Sequence, residues 1–246
     1  MKNKGDIKGM KVLVIGDVHL KPWIFDEATK LLKRGVADKA VFLGDYVDDW
    51  NQQYSMWIYQ QTLAAASNFA RNFPETVFLY GNHEKAYQWG RLVSGYSVMA
   101  AYTVRNGLKE LERAVKYPLA FVHRIDNVIF SHGCLTLNFV NRYVPKRIQE
   151  NIDETIAIVN GLGEAELWND ESMLWCRPNP TTKLYQENEI LQVAGHTPTT
   201  TIQKYLNGLI LCDSFSTYRD GSPIGSQEFL VVDTETLEYF TVPTKL

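Results

Sequence analysis

The chain has 246 residues, 45% hydrophobic and 22% charged, with a net charge of −3. That length builds a proper core, and the slight negative charge gives no broad basic face of the kind that favours nucleic acid. Cys134, Cys176 and Cys212 are odd in number and widely spaced. They suggest neither a disulfide framework nor a zinc pair, so reduced thiols in a cytoplasmic setting are expected. The first apolar run, Val12 to Ile15, is too short for a signal segment or a membrane span.

Lys11 to Gly16 reads as a buried strand stopped by Gly-Asp. Residues 25–34 read as a helix, with Asp26 and Glu27 in its first turn, Lys33 and Arg34 in its last, and Gly35 just past its end. Ala40 to Leu43 is a second buried strand. A long helix follows from Tyr54 to Asn72, where Tyr59, Leu63, Ala66, Ala70 and Phe73 draw one apolar stripe. Thr76 to Tyr80 is a third strand. This β-α-β-α-β order predicts parallel strands whose following loops converge on one rim, where ligands sit in open α/β sheets.

The middle of the chain reads as mostly helical. Residues 97–114 form one helix and residues 146–160 another, with Ile148, Ile152, Ile156 and Val159 on one face and Gly161 after it. Leu119–Val122 and Val128–Phe130 read as a strand pair between them. Strands are expected at 190–194, 201–206, 209–212, 227–233 and 237–242, with a hairpin turn at Asn207-Gly208. No repeat or long linker divides the chain. A single domain over 1–246 is expected, with a mixed two-sheet core flanked by helices.

Five polar blocks follow these strands: Gly16-Asp17-Val18-His19, Gly44-Asp45-Tyr46-Val47-Asp48, Gly81-Asn82-His83-Glu84, Ser131-His132-Gly133 and Gly195-His196-Thr197-Pro198. They hold four of the five histidines. Hard divalent ions take carboxylate oxygen and neutral imidazole, and a pair of ions needs one shared ligand. Asp17 and His19, two apart in an extended segment, would point to the same side and reach one ion. Asp45 has two oxygens and can bridge to a second, which Asn82, His132 and His196 complete. Two ions about 3.5–4 Å apart can share a hydroxide and clamp a phosphoryl group. Taken singly, each block is also ordinary turn or helix-cap chemistry.

The ordered series of blocks resembles the calcineurin-like metallophosphoesterases, and most nearly their serine/threonine phosphoprotein phosphatase branch in bacteria and phages. Pro198 supports that branch, because broader members of the superfamily place a second histidine there. The resemblance implies an αββα sandwich of two sheets, an α/β fold with helical insertions at about 85–117 and 135–175. It implies that Asp17, His19 and Asp45 bind one metal and that Asp45, Asn82, His132 and His196 bind the second. Manganese is the implied activator, with iron or zinc compatible with the same ligands. His83 is implied as the general acid and Asp48 as the carboxylate that orients it, while Asn82 and Arg177, in Leu174-Trp175-Cys176-Arg177, contact the substrate phosphate. The implied activity is hydrolysis of a phosphoester by a metal-bridging hydroxide, in a phosphorylated protein or a small molecule, with no membrane or nucleic-acid partner.

One departure stands out. Where the family motif continues Asp-Arg-Gly, this chain has Asp48-Asp49-Trp50. Asp49 replaces the arginine that normally grips phosphate, so either it points away or the substrate differs. Arg91, Arg105, Arg124 and Arg219 are the candidate substitutes. Trp50, Tyr54, Trp57 and Trp89 could stack a base, which keeps open a nucleotide phosphodiesterase or diadenosine tetraphosphate hydrolase. A non-catalytic metal-binding scaffold is the reading from a different class.

Overall fold

The computed structural model describes residues 9–205 and 207–244. The elements in chain order are β1 (Lys11–Ile15), α1 (Trp23–Lys33), β2 (Lys39–Phe42), α2 (Met56–Asn72), β3 (Val77–Phe78), α3 (Asn82–Trp89), α4 (Ala101–Ala114), β4 (Val122–Ile125) and β5 (Val128–Ser131). Then follow α5 (Leu137–Tyr143), α6 (Ile152–Asn160), α7 (Glu164–Leu167), β6 (Leu191–Pro198), β7 (Gln203–Lys204), β8 (Leu209–Asp213), β9 (Glu228–Asp233) and β10 (Tyr239–Pro243).

The strands form two five-stranded mixed sheets, ordered β10-β9-β1-β2-β3 and β4-β5-β6-β8-β7. β1, β2 and β3 run parallel, as do β5, β6 and β8. Alternation along each strand feeds two cores. Leu13 and Ile15 of β1 pack with Phe42 and Phe78 against α1, α2 and α4. Val12 and Val14 face the other way and join Val41, Val128, Phe130, Val193 and Ile210 between the sheets. Ile129 turns outward again to meet Phe139, Val140, Ile156 and Val159. Strands buried on both faces must be apolar throughout, which explains the unbroken runs. The layers are helix, sheet, sheet, helix: the αββα sandwich that the resemblance implied.

Several boundaries differ from expectation for identifiable reasons. The first strand of the middle pair lies at 122–125 rather than 119–122. Asp126 takes a left-handed φ of 49°, so Asp126-Asn127 closes a two-residue turn that pairs Ile125 with Val128. The helix expected over 146–160 starts at Ile152, because Asn151 caps it by accepting from the Glu154 amide at 3.2 Å. The third strand is short: the Leu79 amide still donates to Phe42 of β2, but the chain then bridges to Ala120, whose carbonyl accepts from Tyr80. Gly35, at φ 70°, ends α1 as expected, and Asn207-Gly208 turns into β8, with Leu206 of the expected 201–206 strand outside the described residues. Among the described residues no helix is long and apolar enough to cross a membrane.

Candidate metal centre

All five polar blocks meet at one rim. The first three follow the parallel strands β1, β2 and β3, and the fourth begins at the end of β5. Gly195-His196 lies inside β6 itself, where the register to β8 shifts between Ala194 and Pro198. Such an irregularity re-aims a side chain. His19, Asp45, Asp48 and His196 all have φ between 42° and 64°, a region that non-glycine residues seldom adopt. Asp17 and His19 therefore converge through a left-handed turn and not through the extended segment expected. Two glycines make room for the crowding. A Cβ on Gly44 would lie 2.3 Å from the Gly81 nitrogen, and one on Gly195 would lie 2.3 Å from Asp17 Oδ1.

Two groups of donors gather around the buried Asp45 carboxylate. His19 Nε2 lies 3.8 Å from Asp45 Oδ2 and 3.7 Å from Asp17 Oδ2. His132 Nε2 lies 3.3 Å from Asp45 Oδ2, 2.9 Å from Asn82 Oδ1 and 3.1 Å from His196 Nδ1. Hydrogen bonding fixes the tautomers of the two bonded rings. His19 Nδ1 donates to the Asp48 carbonyl at 2.8 Å, and His132 Nδ1 donates to the Leu43 carbonyl at 3.1 Å. Their Nε2 lone pairs then face the carboxylates and the Asn82 oxygen. His196 Nδ1 faces the other donors, and its Nε2 is buried without a partner. Nitrogen and oxygen donors converging in this way on one buried carboxylate suit a first-row divalent ion.

His83 sits beside this centre. Its Nδ1 pairs with Asp48 Oδ2 at 2.8 Å, and its Nε2 lies 3.8 Å from Asp45 Oδ2. Asp48 is itself held by two phenols, with Tyr59 and Tyr87 donating to Oδ1 at 2.9 and 2.6 Å. Glu84 does comparable work behind the site. Its buried carboxylate accepts the backbone N–H groups of Asp45, Tyr46 and Gly81 at 2.8, 2.7 and 2.9 Å. The block motifs include Glu84, but its function as the clamp on the Asp45 loop emerges only from the fold. Tyr59, Tyr87 and Asp213, a buried cleft carboxylate bonded to Ser216, carry no motif signal at all.

The electrostatics match a site built for positive charge. Burial, together with Asp213, pushes the Asp17 carboxyl well above its usual range. Burial also raises Asp45, but the His132 and His83 imidazoles overcome it and hold that carboxyl well below the usual range. His83 moves to about 9, because Asp45 and Asp48 outweigh the desolvation that lowers it. Burial, with His132 and Arg177, drives His196 down to about 2, which keeps that ring neutral and able to ligate.

A cleft of about 210 Å³ opens over these groups. Arg177 is the one arginine or lysine among its lining residues, and its guanidinium donates to the His196 carbonyl at 2.5 Å. Asp49 does line the cleft, so it does not simply point away, yet its charge is compensated. Lys21 Nζ lies 2.8 Å from Oδ2, and Thr217 donates to Oδ1 at 2.8 Å. The candidate substitute arginines sort clearly. Arg91 pairs with Glu164, Arg105 bonds the Tyr87 carbonyl, and Arg124 pairs with Asp153. Arg219 stacks on Trp50, 5.0 Å from the ring centroid, and Trp50 forms part of the cleft wall. Trp89 instead packs among Phe121 and Trp168, so it is not available to stack a base in the cleft.

The family model of calcineurin-like phosphoesterases matches residues 10–221. The chain belongs to that family. It is a hydrolase acting on phosphoric esters, of a family that uses divalent metals. The cold-active protein-tyrosine phosphatase of the psychrophile Shewanella sp. shares 18% identity over 94% of this chain and 80% of its own, with a TM-score of 0.57. A metallophosphoesterase from Sphaerobacter thermophilus is similar at 14% identity over 96% of this chain and 88% of its own, with a TM-score of 0.45. The first of these likenesses concerns the fold alone. No curated protein sequence matches the chain significantly.

Proposed function

We propose that this phosphoesterase is a dinuclear phosphomonoesterase acting on phosphorylated protein side chains. Asp17, His19 and Asp45 would hold one divalent ion, and Asp45, Asn82, His132 and His196 a second, with manganese as the activator. Bound there, the ions would acidify water and neutralise phosphoryl oxygens. The observation that carries the reading is the pair of donor groups sharing Asp45, His19–Asp45–His83 and Asp45–His132–His196, with Asp17 3.7 Å from His19 and Asp48 holding the His83 ring.

The chain's own residues account for the remaining steps. Arg177 offers a planar fork to phosphoryl oxygens, and its bond to the His196 carbonyl orients it. Asn82 adds an amide at the cleft wall. Asp48 fixes the His83 ring so that Nε2 faces the cleft, where its proton passes to the departing alkoxide. The compensated Asp49–Lys21 pair removes the repulsion that a free carboxylate would impose on a phosphate dianion. Asp49 is therefore compatible with a monoester substrate.

One observation favours a second reading. Trp50 stands on the cleft wall, where it could stack a base of a nucleotide diester or diadenosine tetraphosphate. A panel with added manganese separates the two. Phosphoserine and phosphotyrosine peptides are expected to release phosphate, and Asp45→Asn is expected to abolish the release. Turnover of only a diester or the tetraphosphate would overturn the monoesterase reading.

A further inference from the structure

Cys134 and Cys176 are far apart in sequence, and their spacing suggests no pairing. The fold brings their sulfurs to 2.8 Å, with both side chains buried and free. The two thiols are thus in hydrogen-bond contact, near enough for a disulfide to form between them with little side-chain movement. Two contacts at Gly133 hold the two segments in register. Gly133 donates to the Met173 carbonyl at 2.6 Å, and a Cβ on Gly133 would lie 2.9 Å from the Cys176 carbonyl oxygen. Close approach of the two segments is thus built into the backbone. Cys176 also lines a separate cleft of about 520 Å³ together with Thr136, Asn138, Glu171 and Arg177. Cys176 thus stands at the wall of a cleft, while Cys134 does not line it.

The geometry points to a dithiol modification site, at which Cys134 and Cys176 exchange with a low-molecular-weight disulfide to form a reversible internal bridge. The Cys176 sulfur attacks one sulfur of the reagent and expels one thiol, leaving a mixed disulfide. The Cys134 sulfur then attacks Cys176 and expels the second thiol. The two protons lost from the cysteines leave on the two expelled thiols, and the two electrons lost by the protein reduce the reagent. The bridge joins the segment after His132 to the segment before Arg177, tying together two walls of the metal site. Cys212 is excluded, since its thiol bonds the Ala194 carbonyl on another strand.

The test incubates the full chain with cystamine, then denatures it with an alkylating agent and maps the peptides by mass spectrometry. The expected result is a fall from three alkylatable thiols to one, with a Cys134–Cys176 crosslinked peptide that dithiothreitol removes. Cys212→Ala is expected to keep the crosslink, and Cys176→Ser to abolish it while leaving Cys134 unmodified. Three alkylatable thiols after incubation, or a cystamine adduct that persists on Cys176 without a crosslink, would overturn the proposal. The readout needs no metal and no turnover, so it does not depend on the proposed activity.

Discussion

Replacing Asp48 by asparagine tests the acid role of His83 most sharply. Asp48 Oδ2 receives the His83 Nδ1 bond at 2.8 Å, while Tyr59 and Tyr87 both donate to Oδ1. Those two phenols would draw the asparagine oxygen to their side and leave its N–H₂ against the imidazole. His83 would lose its carboxylate partner and its preferred tautomer together. A hydrogen bond to a charged group is worth about 1.5–3 kcal/mol, and one pKa unit corresponds to about 1.4 kcal/mol. The pKa of His83, at about 9 in the folded protein, is therefore expected to fall by about one to two units. Because the acid works protonated, kcat is lost as pH rises through the His83 pKa, and the variant should lose it at correspondingly lower pH. Cations bound at Asp45 would lower both limbs, so the displacement between the proteins is the quantity to measure. Full pH profiles with phenyl phosphate and p-nitrophenyl phosphate provide the assay. The poorer leaving group, phenol, should suffer more from the substitution. An unmoved limb, with equal losses on both substrates, would refute the role given to His83.

Three further outcomes follow from the same geometry. Glu84→Ala strands three buried backbone donors, each costing about 1–3 kcal/mol, so the unfolding free energy from urea titration should fall by about 3 kcal/mol or more; an unchanged midpoint would contradict the clamp. Arg177→Ala should raise KM for a phosphate monoester by about tenfold or more, since a charge-assisted bond is lost, with Arg177→Lys recovering only part; unaltered KM in steady-state assays would remove Arg177 from the site. Lys21→Ala leaves Asp49 uncompensated at the cleft and should also raise KM, whereas the double change with Asp49→Ala should restore it. Additive effects in that cycle would show that the pair does not act as a unit.

Much of the site was legible in the sequence because its loops are short and follow strands directly. Asp17, Asp45 and His132 each lie within three residues of a strand end, so one rim collects them. The apolar runs of β1 and β2 likewise announced strands buried on both faces. Other features depend on contacts that no local pattern encodes. Tyr59 is one member of the stripe on α2, yet its hydroxyl reaches Asp48. Lys21 answers Asp49 across 28 positions, and Asp213 arrives from the end of β8 in the other sheet. The turn at Asp126 depends on a left-handed residue whose neighbours, His123 and Arg124, hide the alternation of β4. Tertiary pairing decided these, and residue type alone did not.

Metal stoichiometry tests the central claim most directly. Isothermal titration of the apo chain with manganese should give two bound ions, and the same preparation should release phosphate from a phosphoserine peptide. Asp45→Asn, which alters the shared ligand, should lose tight binding of at least one ion and lose turnover with it. A wild-type chain that binds one ion or none, or an Asp45→Asn chain that keeps both ions and full turnover, would contradict a dinuclear centre built on Asp45.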